Sequence, residues 1–250
     1  MQIGAQFYTI RDFCKTPEDL ALSLRKVADI GYKTVQISGT CPYDPQWLAQ
    51  QLKENDLKCV LTHIPADRLQ ADAAAVAKDH DVFGCDYVGL GGYGFHLPED
   101  EEFMGGFLKA YLPVAEILKA NGKYFMYHNH AHEFQKRDGK LILEHIADRI
   151  PAEHMGLTLD TYWIQTGGGD PAYWIEKYAG RVPCIHLKDY SYGAKMAVVG
   201  EGNINFDRVF KAAEAAGTKY MLVEQDDCNG EDPIDCLRRS YEFLKANGFE

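Results

Sequence analysis

The feature that most constrains the fold is an alternation of short β-rich runs with amphipathic segments along the whole chain. Eight runs predict strands, at residues 2–10, 34–38, 58–64, 86–90, 124–128, 156–160, 182–188 and 219–225. Eight segments predict helices, at residues 17–30, 44–55, 71–83, 103–120, 143–150, 171–178, 206–216 and 233–247. Eight strand–helix units in 250 residues, with no linker between them, predict one domain over residues 1–250, a single (β/α)₈ TIM barrel.

The alternative architecture is an open, doubly wound sheet. Such sheets more often have about six strands and a glycine-rich turn, G-x-G-x-x-G, after the first one. Here the first strand runs into Thr9-Ile10-Arg11-Asp12, which contains no glycine. The barrel is therefore the favoured prediction. Outside the main units, Asp138-Gly139 predicts a small β-hairpin within residues 133–141, and residues 189–205 are expected to form a long loop.

Composition and charge limit the kinds of partner that this chain is expected to bind. The net charge of −11 is spread along the chain, and no lysine or arginine block exists to follow a phosphate backbone, which argues against nucleic acid. No apolar run reaches the roughly 18 residues of a membrane span, and the first residues lack signal-peptide character. Seven cysteines without a Cys-x-x-Cys motif predict free thiols in a reducing cytoplasm. A small molecule is the expected partner.

Three of the predicted strands end in residues that can bind a metal. In a barrel of this kind the chemistry lies at the carboxyl ends of the strands, and side chains alternate between the interior and the helix layer. This alternation places Asp160, His186 and Glu224 inside three adjacent strands at similar height. Carboxylates with one imidazole suit Mn²⁺, Mg²⁺, Co²⁺ or Zn²⁺ and leave positions for substrate oxygens.

The fifth strand leads into the sequence YHNHAHEF at residues 127–134, which holds three imidazoles and a carboxylate within six residues. From this segment either His128 or Glu133 would complete the metal site. Each candidate also has a purely structural interpretation, because a strand-end aspartate can cap a helix and a strand histidine can be a hydrogen-bonded core group. Buried unpaired carboxylates cost several kcal/mol, so a cation should hold them together. Metal is the simplest choice, with Lys188 or Arg11 as the alternatives.

Five motifs, together with the opening QFYTIRD at residues 6–12, resemble the sugar phosphate isomerase/epimerase group of the xylose isomerase-like TIM barrel superfamily. They are YHNHAHEF (127–134), LDTYW (159–163), IHLKD (185–189), GEGNINF (200–206) and VEQD (223–226). The resemblance spans nearly the whole chain. It implies one divalent metal ion and, because members of the group often pair through surface helices, a homodimer.

Residue by residue, the resemblance implies the metal ligands Glu133, Asp160, His186 and Glu224. In related ketose epimerases the two glutamates also shuttle the proton. The sequence departs from that pattern at the fifth strand, where the epimerases place their glutamate on the strand itself and this chain has His128. The remaining candidates are His128 and Lys188 for catalysis and, for substrate binding, His63, His130, Tyr8, Tyr162 and Trp163.

The resemblance implies a metal-dependent isomerase or epimerase that acts on a sugar or keto-sugar through an enediolate, which forms when a base removes the proton α to the carbonyl. The alternative is a dehydratase or lyase on a keto-sugar, inosose or 3-keto-glycoside. A DNA repair nuclease and a metal-independent isomerase fit less well, because the chain is acidic and Glu201 would repel phosphate. An inactive sugar-binding protein is the non-enzyme alternative.

Overall fold

The computed structural model describes residues 1–95 and 104–250. The strands among these residues are β1 (Gln2–Gln6), β2 (Thr34–Ile37), β3 (Lys58–His63), β4 (Tyr87–Leu90), β5 (Tyr124–His128), β6 (Lys136–Arg137), β7 (Lys140–Leu141), β8 (Met155–Asp160), β9 (Cys184–Leu187), β10 (Asp189–Ser191), β11 (Lys195–Ala197) and β12 (Tyr220–Val223). The α-helices are α1 (Pro17–Ile30), α2 (Pro45–Glu54), α3 (Ala66–Ala71), α4 (Ala73–Val82), α5 (Gly105–Ala120), α6 (Ile142–Arg149), α7 (Thr161–Thr166), α8 (Pro171–Lys177), α9 (Phe206–Ala216) and α10 (Pro233–Ala246).

Eight parallel strands close into a barrel in the order β1-β12-β9-β8-β5-β4-β3-β2, which confirms the predicted (β/α)₈ architecture. The ring closes because β1 pairs with β2 on one side and with β12 on the other. Helices connect successive strands, as parallel pairing requires. None of the helices in the described part of the chain is long and apolar enough to cross a membrane.

Strand alternation divides the core into two clusters. A small cluster inside the barrel contains only strand residues, Val60, Leu61, Met126, Cys184 and Leu222. Their neighbours along the strands, such as Phe125 and Ile185, belong to a large cluster shared with the helices. Both strand faces are therefore buried, which explains why the strands read as nearly continuous apolar runs. Cys184 and Leu222 lie two residues before His186 and Glu224 along the chain, so their inward position agrees with the alternation that predicts His186 and Glu224 inside the barrel.

The first predicted strand, residues 2–10, is too long, because β1 ends at Gln6 and a 3₁₀-helix follows over Phe7–Phe13. The side chain of Gln6 accepts a hydrogen bond from the backbone N–H of Tyr8 and so caps this turn. The predicted helix 71–83 corresponds to α4, and the short helix α3, which precedes it, was not predicted. The two helices separate at Asp72, whose carboxylate accepts from the N–H of Ala75 at 2.9 Å and starts a new helix there.

Other boundaries differ locally. The hairpin predicted at Asp138-Gly139 forms as β6–β7, with both residues at positive φ. The predicted start of the fourth helix, Phe103, lies outside the described residues. The expected loop 189–205 contains the hairpin β10–β11, and α7 follows Asp160 directly, neither of which was predicted. Buried Asp189 organises this loop by accepting from the N–H groups of Gly200 and Gly202 at 3.0 and 2.9 Å.

Arg181 fixes the strand that carries Asp160 against its neighbours. Its guanidinium is buried and donates to the carbonyl oxygens of Met155 at 2.9 Å, Ala147 at 2.7 Å and Ile150 at 2.6 Å. Two of these carbonyls lie at the end of α6 and the third begins β8. A single planar cation therefore satisfies the end of a helix and the start of a strand together.

We expect Arg181→Met to lower the free energy of unfolding by about 3 kcal/mol, because three buried carbonyls lose a charged donor. Urea denaturation followed by circular dichroism measures the change. Arg25→Met, at an exposed position of α1, is the matched control and should leave stability nearly unchanged. Equal effects of the two substitutions would show that the Arg181 hydrogen bonds do not support the fold.

Candidate active site

Four strand ends converge at the mouth of the barrel. His128, Asp160, His186 and Glu224 each offer one nitrogen or oxygen, these atoms all lie within 4.8 Å of one another, and all four residues are buried. His128 Nε2 lies 3.3 Å from Asp160 Oδ2, and His186 Nδ1 lies 2.8 Å from Glu224 Oε2. The register explains the convergence, since Asp160 pairs with His186 across β8 and β9 and His186 pairs with Leu222 of β12.

The two histidines are oriented by their second nitrogens. His186 Nε2 donates to Gln36 Oε1 at 2.7 Å, and His128 Nδ1 donates to the carbonyl oxygen of Gly91 at 2.9 Å. In the neutral form of each ring, these bonds leave His186 Nδ1 and His128 Nε2 with lone pairs that face the cluster. Metal-binding histidines are commonly fixed in this way by an oxygen acceptor.

The two carboxylates are held in a similar manner. Asp160 Oδ1 accepts from the N–H of Trp163 at 2.9 Å, which also caps α7, and Glu224 Oε1 accepts from Gln6 Nε2 at 2.5 Å. One oxygen of each carboxylate is therefore anchored while the other faces the histidines. Two imidazoles and two carboxylates arranged in this way fit a divalent transition-metal ion or Mg²⁺.

Glu133, the ligand implied by the family resemblance, lies elsewhere. It groups with His130 and His132, and its oxygens accept from the hydroxyl of Tyr127 at 2.6 Å and from the N–H of His130 at 2.8 Å. The carboxylate thus holds the turn that follows β5. Among the described residues, the fifth-strand member of the convergent cluster is His128.

Lys188 lies next to the cluster and is completely buried. Its Nζ is 3.3 Å from Asp160, 3.0 Å from Glu224 and 2.9 Å from Asp226. Burial opposes the charged amine, but the three carboxylates raise the pKa of Lys188 above its ordinary value. Three carboxylates against one ammonium leave two negative charges, which a divalent cation would neutralise.

The neighbouring charged groups also shift the pKa values of the carboxylates. Burial would raise the pKa of Asp160, but Lys188 and His128 hold it below its ordinary value. Glu224 likewise has a lowered pKa, because Lys188 and His186 outweigh its burial. Asp226, further from the centre, has a pKa raised by burial and by Glu224. Both carboxylates of the convergent cluster are therefore ionised and able to bind a cation at neutral pH.

A cleft of about 580 Å³ opens above the cluster. Its wall contains most of the candidate substrate-binding side chains, namely Tyr8, His63, His130 and Trp163, and His128, Lys188, Glu224 and Asp226 also line it. Tyr162 is not part of this wall; its hydroxyl donates to the carbonyl of Ala194 at 2.6 Å and supports the β10–β11 hairpin. Another cleft of about 620 Å³, between α1 and the start of α10, lies away from the strand ends.

One side of the cleft is lined by the backbone of glycine residues. A Cβ atom at Gly89 would come within 2.9 Å of the His63 ring, and one at Gly92 within 2.8 Å of the His130 ring. Gly89 within β4 and Gly92 after it therefore make room for two imidazoles. Burial and the neighbouring His128 lower the pKa of His63 well below its ordinary value and that of His130 to about 4. Both rings are uncharged at neutral pH.

Sequence reasoning missed Gln6 and Gln36, which orient Glu224 and His186. Both occupy inward positions at the ends of β1 and β2, so the alternation rule used for the later strands would have found them. Their amide groups carried no chemical signal, because metal ligands were sought among carboxylates and imidazoles.

The fold and the strand-end cluster define a barrel with a candidate metal centre in a polar cleft. The chain belongs to the xylose isomerase-like TIM barrel family, whose model matches residues 24–247. It is similar in structure to a sugar phosphate isomerase/epimerase from Parabacteroides distasonis, with a TM-score of 0.84, 21% identity, and coverage of 99% of this chain and 94% of that one. It is also similar to an L-ribulose 3-epimerase, with a TM-score of 0.78, 18% identity, and coverage of 98% and 94%.

A curated relative is an inosose dehydratase from Bacillus cereus (strain AH820), 25% identical over 156 residues, which cover 54% of this chain and 50% of the relative. The match thus spans about half the length of the curated relatives. The structural relatives share the fold. The combined comparisons place the chain among barrels that include isomerases, epimerases and dehydratases.

His186 should make the stability of the metal-free protein depend on pH. Burial lowers its pKa, but Glu224 and Asp160 outweigh burial and raise the pKa to about 9 from 6.5. A raised pKa stabilises the fold below the unfolded value, and this stability is lost as pH rises through the folded value. In EDTA, we expect the free energy of unfolding to fall by up to about 3 kcal/mol across this window.

Urea titrations at several pH values test this expectation. His186→Asn should flatten the pH dependence in the same window, because the titrating group is gone. An unchanged slope in that variant would show that His186 does not cause it.

Proposed function

We propose that this protein is a divalent-metal-dependent isomerase or epimerase that acts on a sugar or keto-sugar through an enediolate intermediate. The observation that carries the proposal is the convergence of His128, Asp160, His186 and Glu224 at the floor of the cleft. Each of these residues has one anchored atom and one atom directed to the cluster. The bound ion would act as a Lewis acid that polarises the substrate carbonyl and favours loss of the neighbouring proton.

Side chains that can act as general bases lie on two sides of the convergent cluster. Glu224 and Asp226 follow β12, while His128 and His130 end β5, with β8 and β9 between them in the sheet. In our proposal Glu224 removes the α-proton, and His130 takes up a proton from solvent once the negatively charged enediolate lies beside it and returns that proton from the opposite side or to the neighbouring carbon. Two acid–base groups on different sides are what inversion at one carbon requires.

Lys188 and Glu133 take supporting roles in this mechanism. The ammonium of Lys188 lines the cleft and lies next to the carboxylates, where it stabilises the negative charge that develops on the enediolate oxygens. Glu133 accepts from the N–H of His130 and thereby fixes the position of that histidine. His63 and Trp163 line the cleft on the substrate side.

A dehydratase is the second candidate, and two observations favour it. The curated relatives include inosose dehydratases. In addition, β5 presents histidines to the cleft where the ketose epimerases have a glutamate. After the same proton abstraction, the negative charge of the enediolate would favour uptake of a proton from solvent by His130, which would pass it to a hydroxyl group β to the carbonyl, and that hydroxyl leaves as water. The same residues thus serve either outcome, and the position of the leaving hydroxyl decides between them.

Glu224→Gln and Asp160→Asn should lose bound metal and solvent exchange together, because each removes a charged ligand from the cluster. Plasma mass spectrometry of the purified proteins measures Mn, Mg, Co and Zn, and mass spectrometry in D₂O measures deuterium uptake by ketoses. Glu116→Gln, at an exposed position of α5, is the matched control. A metal-free Asp160→Asn protein with full activity would contradict the proposal.

His130→Asn should lower kcat by about 10²-fold, because it removes a general acid–base group, and should leave the metal content unchanged. The products then separate the two candidate reactions. An epimerase or isomerase gives a product of the same formula that carries solvent deuterium, whereas a dehydratase gives a product lighter by one water. Unchanged kcat in the variant would remove His130 from the mechanism.

A further inference from the structure

Three side chains in the wall of the cleft carry a buried nitrogen without a hydrogen-bond partner. These atoms are His63 Nε2, His130 Nδ1 and Trp163 Nε1. The other nitrogen of His63 is held by Ser38 Oγ at 3.1 Å, which fixes the ring while Nε2 stays unpaired. A buried polar group without a partner costs about 1–3 kcal/mol, so three in one wall indicate a place prepared for a polar ligand.

The same wall contains no cation available for an anionic group. Lys188 is the only lysine or arginine among the described residues that line the cleft, and three carboxylates surround its Nζ at 2.9–3.3 Å. Arg11 is not among the residues that line the cleft, and its Nη1 donates to the backbone carbonyls of Tyr8 at 2.8 Å and Asp226 at 3.0 Å. Recognition of a phosphate ordinarily uses such cations as direct partners.

The sequence outside the described residues contains one histidine, His96, and no other basic residue. Residues 96–103 read HLPEDEEF, with four carboxylates and neither lysine nor arginine. The net charge of −11 opposes the approach of an anion in general. A divalent ion in the cluster would balance the two excess negative charges around Lys188 and leave no positive excess for a phosphate ester.

We infer that the substrate is an uncharged polyhydroxy ketone, and that His63 Nε2, His130 Nδ1 and Trp163 Nε1 form a subsite for its hydroxyl groups. Hydroxyls both donate and accept, so they match imidazole and indole nitrogens without any change in charge. The aromatic faces of Tyr8 and Trp163 in the same wall suit the C–H faces of a sugar. This inference rests on the proposed function and narrows it to unphosphorylated substrates.

Saturation-transfer NMR on the Mg²⁺- or Zn²⁺-loaded protein tests the inference without turnover. The probes are D-fructose, D-tagatose and scyllo-inosose, the 6-phosphates of the two ketohexoses, and inorganic phosphate. We expect at least one neutral ketone to bind at millimolar concentration, at least tenfold more tightly than any phosphate ester, with no displacement by inorganic phosphate. Tighter binding of a phosphate ester, displacement by phosphate, or no binding of any neutral ketone would overturn the inference.

Trp163→Phe tests the subsite, because it removes the indole N–H and keeps an aromatic ring. The affinity for the bound neutral ketone should fall about 2- to 10-fold, as expected for one lost hydrogen bond. Trp47→Phe, on α2 and outside the cleft, is the matched control and should bind like the wild type. Equal affinity of the Trp163→Phe variant and the wild type would overturn the role assigned to this nitrogen.

The two levels of proposal fail in different ways. A protein that binds neutral ketones but exchanges no solvent deuterium and loses no water contradicts the proposed catalytic function, while the binding result supports the neutral subsite. A protein that turns over phosphate esters in preference to neutral ketones contradicts the inference about the substrate, while isomerase or dehydratase activity stands.

Discussion

The site depends on a buried set of opposed charges around Lys188. Asp160, Glu224 and Asp226 are brought close to its ammonium at a place where water is largely excluded. Taking charges out of water is costly, and their mutual attraction offsets this only when the geometry is good. The closed barrel supplies that geometry, because the register of neighbouring strands fixes the height of each strand end. The fold and the charge cluster therefore depend on each other.

The barrel could be predicted from the sequence because its signals are local and repeated. Alternating strand and helix periods give the architecture, and inward-facing parity on the late strands identifies Asp160, His186 and Glu224. The positions where helices and strands begin and end were harder to predict, because they depend on single side chains. Asp72 starts α4 by accepting from the N–H of Ala75, and Gln6 ends β1 by accepting from the N–H of Tyr8. Aspartate and glutamine occur at many other positions where they cap no helix, so the residue type alone does not mark a boundary.

The choice between His128 and Glu133 shows why the site could be predicted only in part. Both residues follow or end the fifth strand, and sequence spacing allows either to reach the cluster. The structure separates them through the hydroxyl of Tyr127, which holds Glu133 beneath the turn. Tyr127 lies on the helix side of the strand, so its effect on a site residue is a tertiary contact. The loop organised by Asp189 depends in the same way on contacts between residues distant in sequence.

The glycines at the end of β4 have a consequence for the evolution of specificity. Where a pocket wall is made of side chains, exchanging a large residue for a small one can admit a bulkier ligand. At Gly89, Gly91 and Gly92 nothing remains to be shortened, and any larger residue would meet the rings of His63 or His130. Variation on this side of the cleft can only shrink it or disturb the imidazoles. A family branch that acquired larger substrates would have had to enlarge the cleft from the opposite side.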